Sequence, residues 1–550
     1  MEKGLSRRDF LKGASIAAIG SGAGIALAGC SKRPPSPGLG GAPSNGTPPN
    51  NEAGSVWDIG PVGEPAETIA AEVCIVGGGG TGMAAAIQCV ELGLTPVVIE
   101  AQGLFGGSFI GTEYVTGVES RLQREVYPDD SAADAITEHM DYHHHIPNRN
   151  LVSAFVHQMA ETADWLEENG VAFRAAVAYK NRALMYDDGG LELRGQNFVN
   201  ALTAKLDGLA IDAYFKTRAR KILKEGGKVV GLLAEREDGS ILQIDTNVVL
   251  LATGGYSNNY KFRDAVTSFE THNVQALGMP VRFGDGIKMA VDVGAEPSES
   301  LSTVMWCGPV VIDAITASWQ TDAYAAGVQP MLWVNQDAQR FTREDIFIGN
   351  FSGAGVCVRN QKKVFILFTE NDMRNWEETG PYNAVFGFAP MERPMSEARS
   401  GLEGLSTVHR GESIEEVAAA VGLDPAALRT TVDDYNKLCA AAAAGDPEST
   451  GADVEFGKKA KFMFPVEEGP FWLCEVAAAY FTTVGGIKTN EKVQAIDRDG
   501  EVISGLYVGG CDAGSLHGDS YDVRYMPGSQ ASWAINSGRL AAKAIAAFLK

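Results

Sequence analysis

No pair of cysteines in this 550-residue chain is spaced as C-x-x-C or C-x-x-C-H, although there are eight cysteines. That removes the usual local ligand sets for structural zinc, iron–sulfur clusters and attached haem. Cys74, Cys89, Cys357 and Cys474 sit in apolar runs and read as small buried hydrophobes. Basic residues are also scarce: 46 Lys and Arg against 69 Asp and Glu give a net charge of −23. Such a chain lacks the clustered cations that neutralise phosphates, so no nucleic-acid partner is expected. Long apolar runs are missing as well. The uncharged stretch Ala14 to Gly29 has sixteen residues, short of the ~20 that span a bilayer comfortably. Histidine is rare, and three of the eight are consecutive, His143-His144-His145. Adjacent side chains diverge, so this run reads as a solvated loop and no metal site is expected.

What is present begins with an unusual N-terminus. The first 33 residues carry six basic and two acidic side chains in an otherwise acidic chain. Ser6-Arg7-Arg8-Asp9-Phe10-Leu11-Lys12 matches a twin-arginine export signal, followed by the Gly/Ala-rich run. Leu27-Ala28-Gly29-Cys30 resembles a lipobox, in which Cys30 becomes a lipidated N-terminus and tethers the protein to a membrane. Residues 34–65 hold eight of the 23 prolines and read as a disordered tether. The sequence therefore predicts an exported protein, with 1–33 a signal and 34–65 a linker.

The folded body opens on Val73-Cys-Ile-Val-Gly77-Gly-Gly79-Gly80-Thr81-Gly82. An apolar strand leads into Gly77, Gly79 and Gly82 at the G-x-G-x-x-G positions. The first glycine permits a tight turn, the second lets backbone N–H groups approach a pyrophosphate, and the third lets the next helix pack closely. That helix, Thr81 to Leu92, aims its positive end at the phosphates. Pro96 to Glu100 is the second strand, with Glu100 placed to accept ribose hydroxyls. This is a dinucleotide site. Further on, Val229–Ala234 and Ile241–Ile244 flank Asp238-Gly239 as a hairpin. Asn247–Ala252 is a buried strand running into Thr253-Gly254-Gly255-Tyr256. From Glu416 the chain turns helical and alanine-rich, strand character returns at Tyr480, Leu506–Gly510 reads as a strand and Ala531–Leu549 as a closing helix.

The ordered set GGGGTG, Gly106-Gly107-Ser108, Thr217-x-Ala219, ATGGYSNN, Gly284-Asp285-Gly286 and GLYVGG resembles the flavoprotein subunits of fumarate reductases and succinate dehydrogenases, with their ketosteroid dehydrogenase relatives. The resemblance runs from about Glu72 to the C-terminus. It implies an α/β fold: a Rossmann-like FAD-binding domain (66–295 and 481–550) with an inserted α+β capping domain (296–480). It also implies that the cofactor is FAD, non-covalent because no histidine accompanies Gly106-Gly107-Ser108. Gly80, Thr81, Gly107, Ser108, Thr253 and Gly254 are expected around it, with Ala219 near adenine and Asp285 toward the isoalloxazine. Asp512, Ser529 and Ala531 are expected about the flavin ring and ribityl chain.

The dicarboxylate-binding residues of that family are not matched. Their positions fall near Met305, Tyr324, Gly327, Ile348, Thr482 and Tyr525. A buried carboxylate without cationic partners is costly, so the expected acceptor is not a dicarboxylate but a larger, mostly neutral, apolar molecule walled by Trp306, Trp333 and Tyr324. Tyr525, in Tyr525-Met-Pro-Gly528-Ser529, resembles the tyrosine of ketosteroid dehydrogenases that polarises a ketone. It is the expected proton donor, with Arg524 the neighbouring cation, His517 a lesser candidate, and Tyr521, Tyr480 and Tyr114 further wall candidates. The expected reaction is reduction of an enone-type C=C bond by hydride from the flavin, with electrons drawn from a separate membrane partner such as a cytochrome. The alternatives are a ketosteroid-type dehydrogenase running oxidatively, or a tethered flavin electron-transfer subunit.

Overall fold

Val73–Val76 is buried along its whole length because it lies inside a parallel sheet, paired with Pro96–Ile99 on one side and Val249–Leu251 on the other. The computed structural model describes residues 54–187, 194–209, 211–267, 273–277, 280–313, 321–382 and 394–550. The expected export signal and Cys30 lie outside them. Val502–Val508 and Asp212–Tyr214 complete a five-stranded parallel core. Strands with both faces covered read as continuous apolar runs rather than alternating ones, as the three central strands Val73–Val76, Pro96–Ile99 and Val249–Leu251 do. Beyond Val502–Val508 the sheet continues into the antiparallel strands Thr217–Glu225, Lys228–Arg236 and Ile241–Asp245, the last paired with Pro65–Ala70.

Two helices lie side by side on the parallel core: Gly80–Glu91 and the C-terminal Ser529–Phe548. Their closeness depends on Gly538, where a Cβ would stand 2.3 Å from the Thr81 carbonyl oxygen. Segments far apart in sequence thus build one layer.

A second, six-stranded sheet is organised around the 13-residue strand Phe471–Thr483. Val304–Val311, Val364–Thr369 and Val408–Gly411 pair with it antiparallel. One apolar cluster on this sheet holds Trp306, Tyr324 and Trp333. Another packs it against Ile414–Val421 and Pro425–Ala443. Asp424 caps the latter helix through the N–H groups of Ala426 and Ala427, and Pro425 takes its first position, where a missing N–H costs nothing.

Two sequence expectations need adjusting. Val274–Ala276, assigned to the first segment, joins the second sheet by pairing with Phe471–Thr483, so the two layers interlock across the expected boundary at 296. Residues 54–64, assigned to the linker, are packed. Trp57 meets Phe262 edge-on at 4.8 Å, and Val56 and Ile59 also lean on the core. Burial of these three outweighs the local proline content. No helix among the described residues is long and apolar enough to cross a membrane.

Candidate active site

A long cleft runs along the C-terminal ends of the parallel strands, enclosing about 1,710 Å3 of non-atom space with its open mouth included. This is where ligands sit in open α/β sheets. Its first section is the glycine turn. Gly77 has φ +108°, and a Cβ there would lie 2.2 Å from the Ala252 carbonyl oxygen. At Gly82 a Cβ would lie 1.8 Å from the Gly77 oxygen, so this glycine fixes helix against strand from behind the cleft. Gly79 differs: the nearest atom to its imaginary Cβ is the Gly106 oxygen at 4.0 Å. The space beside Gly79 belongs to the cleft. Helix Gly80–Glu91 begins there with no side-chain cap, leaving its first N–H groups for an anion. Gly107 and Ser108 line the opposite wall, and the buried Ser108 Oγ has no hydrogen-bond partner.

At one end stands Glu100. Its carboxylate accepts the N–H groups of Gly78 and Gln102, both at 2.6 Å, while burial pushes its pKa up. Thr217, Arg218, Ala219 and Asp285 share this section. Asp285 accepts both arms of the Arg218 guanidinium, at 2.7 and 2.8 Å. The expectation that Asp285 faces the isoalloxazine is therefore corrected. It lies beside Ala219 because helix Asp285–Asp292 packs on Thr217–Glu225.

At the other end the wall is built from Leu277, Val281, Arg282, Met305, Phe351, Phe481, Thr482, Cys511, Tyr114, Tyr521, Gly528 and Gln530. Helix Ser529–Phe548 starts here without a side-chain cap and presents Gln530, Ala531 and Ala534. The Cys511 thiol contacts Thr482 Oγ1 and Gln530 Nε2, both at 3.2 Å, and burial raises its pKa, so it stands as a neutral thiol. Tyr521 and Tyr114 flank Gly528. The Gly528 N–H donates to the Tyr521 oxygen at 3.1 Å, and a Cβ on Gly528 would meet the Tyr114 ring at 2.7 Å. Burial pushes the Tyr521 hydroxyl up to about 12 and Tyr114 well above the ordinary phenol range.

Gly77, Gly79, Gly80, Thr81, Glu100, Gly107, Ser108, Ala219, Thr253, Gly254, Asp285 and Ala531 line the cleft. Asp512 and Ser529 do not: they stand one layer back. Asp512 is fully buried and accepts the N–H of Gly255 at 2.9 Å, the Thr253 N–H and the Thr253 hydroxyl. It ties the two strand ends together, and burial raises its pKa to about 6.

The expected catalytic set is corrected more deeply. Asp522 Oδ1 accepts the N–H groups of Arg524 and Tyr525, at 3.1 and 2.7 Å, in a side-chain-closed turn. That turn sends Tyr525 outward, edge-on to Tyr179 at 5.2 Å and Tyr142 at 6.0 Å, while Arg182 holds its carbonyl at 2.9 Å. Arg524 is exposed over the Tyr525 ring. Tyr324 is buried in the second sheet's core and donates to the Cys307 carbonyl at 2.8 Å. Trp306 and Trp333 belong to the same core. None of these five lines the cleft; Met305, Phe351 and Phe481 supply the apolar wall instead. The sequence reading also missed Arg282, a buried cation in that wall.

His144 and His145 are exposed, as a solvated loop requires, but His143 is fully buried because it packs edge-on against His139 at 4.3 Å. His143, His139 and His517 bring ring nitrogens within 4.8 Å of one another. Two of the three rings are engaged by protein groups, whereas both ring nitrogens of His517 are buried without a hydrogen-bond partner. His139 is held by Asp522 and the Leu516 carbonyl. His143 Nδ1 accepts the Gly518 N–H at 3.2 Å, which assigns its proton to Nε2.

The uncapped helix ends, the open space at Gly79 and the unpartnered Ser108 hydroxyl fit a dinucleotide pyrophosphate, and the Glu100 section fits its ribose. Comparison with known proteins agrees. Residues 72–520 match the family described as FAD binding domain. The chain is 27% identical over 481 residues to a vinyl phenol reductase of Lactiplantibacillus plantarum, covering 85% of this chain and 94% of the relative. It is 24% identical to an NADH:fumarate oxidoreductase of Klebsiella pneumoniae, covering 81% of this chain but 45% of that longer protein. Among solved structures, a flavocytochrome c3 fumarate reductase superposes with TM-score 0.67 at 22% identity, over 88% of this chain and 79% of that one. A 3-ketosteroid Δ1-dehydrogenase from Sterolibacterium denitrificans superposes with TM-score 0.68 at 18% identity, over 87% and 99%. The chain belongs to the FAD binding domain family and is an FAD-dependent oxidoreductase.

Proposed function

We propose that this flavoenzyme reduces a carbon–carbon double bond conjugated to a polar group, on an acceptor that is largely apolar and not a dicarboxylate. The observation that carries the reading is the paired phenols, Tyr521 and Tyr114, set in a wall of Met305, Phe351 and Phe481 at one end of the cofactor cleft. Relatives named as vinyl phenol reductase and NADH:fumarate oxidoreductase both have names that point to reduction of a carbon–carbon double bond.

Bound FAD, once reduced by two electrons from the donor partner, would supply the hydride. The chain's own part is to hold the acceptor and to supply the proton. Tyr521 keeps its proton at neutral pH, and the Gly528 N–H bonded to its oxygen stabilises the negative charge that grows there as the proton leaves. Tyr114, packed on Gly528, fixes that geometry and shares the polar edge. The apolar wall excludes water from the reacting carbons. The uncapped start of Ser529–Phe548 places a positive helix end at the same section, where negative charge develops.

We further propose that FAD is held non-covalently, since no histidine lines the cleft among the described residues. Export through the twin-arginine segment, anchoring at Cys30 and electron supply by a separate membrane partner such as a cytochrome complete the proposal. They rest on the sequence alone. Cell fractionation with a Cys30→Ser variant tests the anchor: release of the protein from the membrane supports it.

The reaction itself is tested by mixing anaerobically reduced holoenzyme with a panel of enones, enoates and vinylarenes and following flavin reoxidation. Rapid reoxidation by a singly activated alkene, with slow reoxidation by fumarate, supports the reading. Fast reduction of the oxidised enzyme by saturated ketosteroids, with no alkene accepted, assigns the oxidative direction instead.

A further inference from the structure

Arg282 is 4% exposed and lines the substrate end of the cleft beside Leu277, Phe481, Thr482 and Cys511. Its backbone is pinned by Asn258, which donates its N–H to the Arg282 carbonyl at 2.9 Å and accepts the Arg282 N–H at 3.3 Å. Its side chain is pinned as well. Nη1 donates to the Phe481 carbonyl at 2.7 Å and Nη2 to the Leu277 carbonyl at 2.9 Å. Nε is buried and has no partner. No described carboxylate pairs with this guanidinium.

A guanidinium has five N–H donors, and two carbonyls account for two of them. Burial disfavours its charge, and carbonyl dipoles do not neutralise it. A buried cation without a counter-charge is costly, and the open side of this one is the cleft. The only other cation on the cleft wall among the described residues is Arg218, already spent on Asp285 in a two-armed pair. The substrate end therefore offers one uncompensated positive charge, enough for one anionic group and not for two.

We infer that Arg282 is the recognition group for a single carboxylate on the acceptor, which makes the substrate class an enoate with an apolar or aromatic body. This inference rests on the double-bond reductase reading of the same cleft. It replaces the expectation of a neutral acceptor, which followed from arginines missing at the family's positions and not from the cations this fold supplies elsewhere.

The test uses oxidised holoenzyme titrated with trans-cinnamate and with methyl cinnamate, following the flavin difference spectrum. The pair share the alkene and the ring and differ in charge. The wild type is expected to bind the acid at least tenfold more tightly than the ester, and Arg282→Gln is expected to bring the two affinities together. Equal affinities in the wild type, or an undiminished acid preference in Arg282→Gln, overturn the inference. So does a shifted flavin midpoint potential in Arg282→Gln with the acid preference intact, which assigns the charge to the flavin. The wild-type ratio decides even if the variant fails to fold. A clear acid preference with no reoxidation of reduced enzyme by either ligand leaves Arg282 as a carboxylate site and refutes the reductase reading alone.

Discussion

The phenolic oxygen of Tyr521 accepts the backbone N–H of Gly528 at 3.1 Å, closing a loop whose inner face is the cleft wall. Tyr525, between them in sequence, lies on the outer face against Tyr179 and Tyr142. Exchange of the two tyrosines for phenylalanine therefore has unequal effects. Tyr521→Phe lowers the rate of flavin reoxidation by an activated alkene by about 10²–10⁴, the usual range for a positioned proton donor. Tyr525→Phe leaves it within a factor of a few. Stopped-flow absorbance on both variants measures the difference.

The pH dependence follows from burial. The Tyr521 hydroxyl is pushed up to about 12, so it remains a phenol across the neutral and mildly alkaline range. The alkene-reduction rate has no falling limb from this group below about pH 10. A rate profile in non-coordinating buffers checks this. A fall centred near pH 8 in the wild type and absent in Tyr521→Phe would contradict it.

The glycine turn separates cofactor binding from folding. A methyl group at Gly79 meets no protein atom nearer than 4.0 Å but occupies the space beside the uncapped helix end. Gly79→Ala is expected to keep its circular dichroism and lose at least tenfold in FAD affinity. Gly82→Ala drives its Cβ to 1.8 Å from the Gly77 oxygen and is expected to reduce soluble yield as well. Fluorescence titration of the apoproteins with FAD distinguishes them.

How much of this was legible in the sequence depends on how local the signal was. The strand, turn and helix from Val73 to Glu91 follow from spacing within one supersecondary unit, and the structure keeps it almost to the residue. The joining of these distant segments in one layer followed from the GLYVGG strand and the helix after it. The tyrosine proposed as proton donor was legible only in part: Tyr521 reads as a wall candidate, and Tyr525 as the donor. Which of Tyr521 and Tyr525 faces inward is set by the two N–H groups that Asp522 accepts, and by Arg182, remote in sequence, pulling on the Tyr525 carbonyl. Arg282 was missed because its importance comes from burial against Phe481 and Leu277, and no local motif marks it. Trp306 and Trp333 were assigned to the pocket as large aromatics, but they alternate into the core of the second sheet.

Asp512 offers a stability test with a definite sign. Burial raises its pKa from 3.8 to about 6, so the folded state holds this proton longer than the unfolded chain does. The wild type is most favoured, as far as this group is concerned, below the ordinary carboxyl range. It loses stability as pH rises through about 6, by a total of about 3 kcal/mol at ~1.4 kcal/mol per pKa unit. Asp512→Asn does not titrate. The stability of the wild type relative to this variant should therefore fall between pH 4 and pH 7, as read from thermal unfolding of the two holoproteins. A rise over that interval would contradict the assignment.

The central claim is that this cleft delivers reducing equivalents to an activated alkene with Tyr521 as the proton source. The most direct measurement is anaerobic single-turnover mixing of reduced wild-type, Tyr521→Phe and Tyr525→Phe enzymes with an alkene acceptor from the panel, in H2O and in D2O. The account predicts fast reoxidation with a solvent isotope effect in the wild type and in Tyr525→Phe, and reoxidation slowed at least a hundredfold in Tyr521→Phe. Unchanged reoxidation in Tyr521→Phe, or its loss in Tyr525→Phe alone, would contradict it.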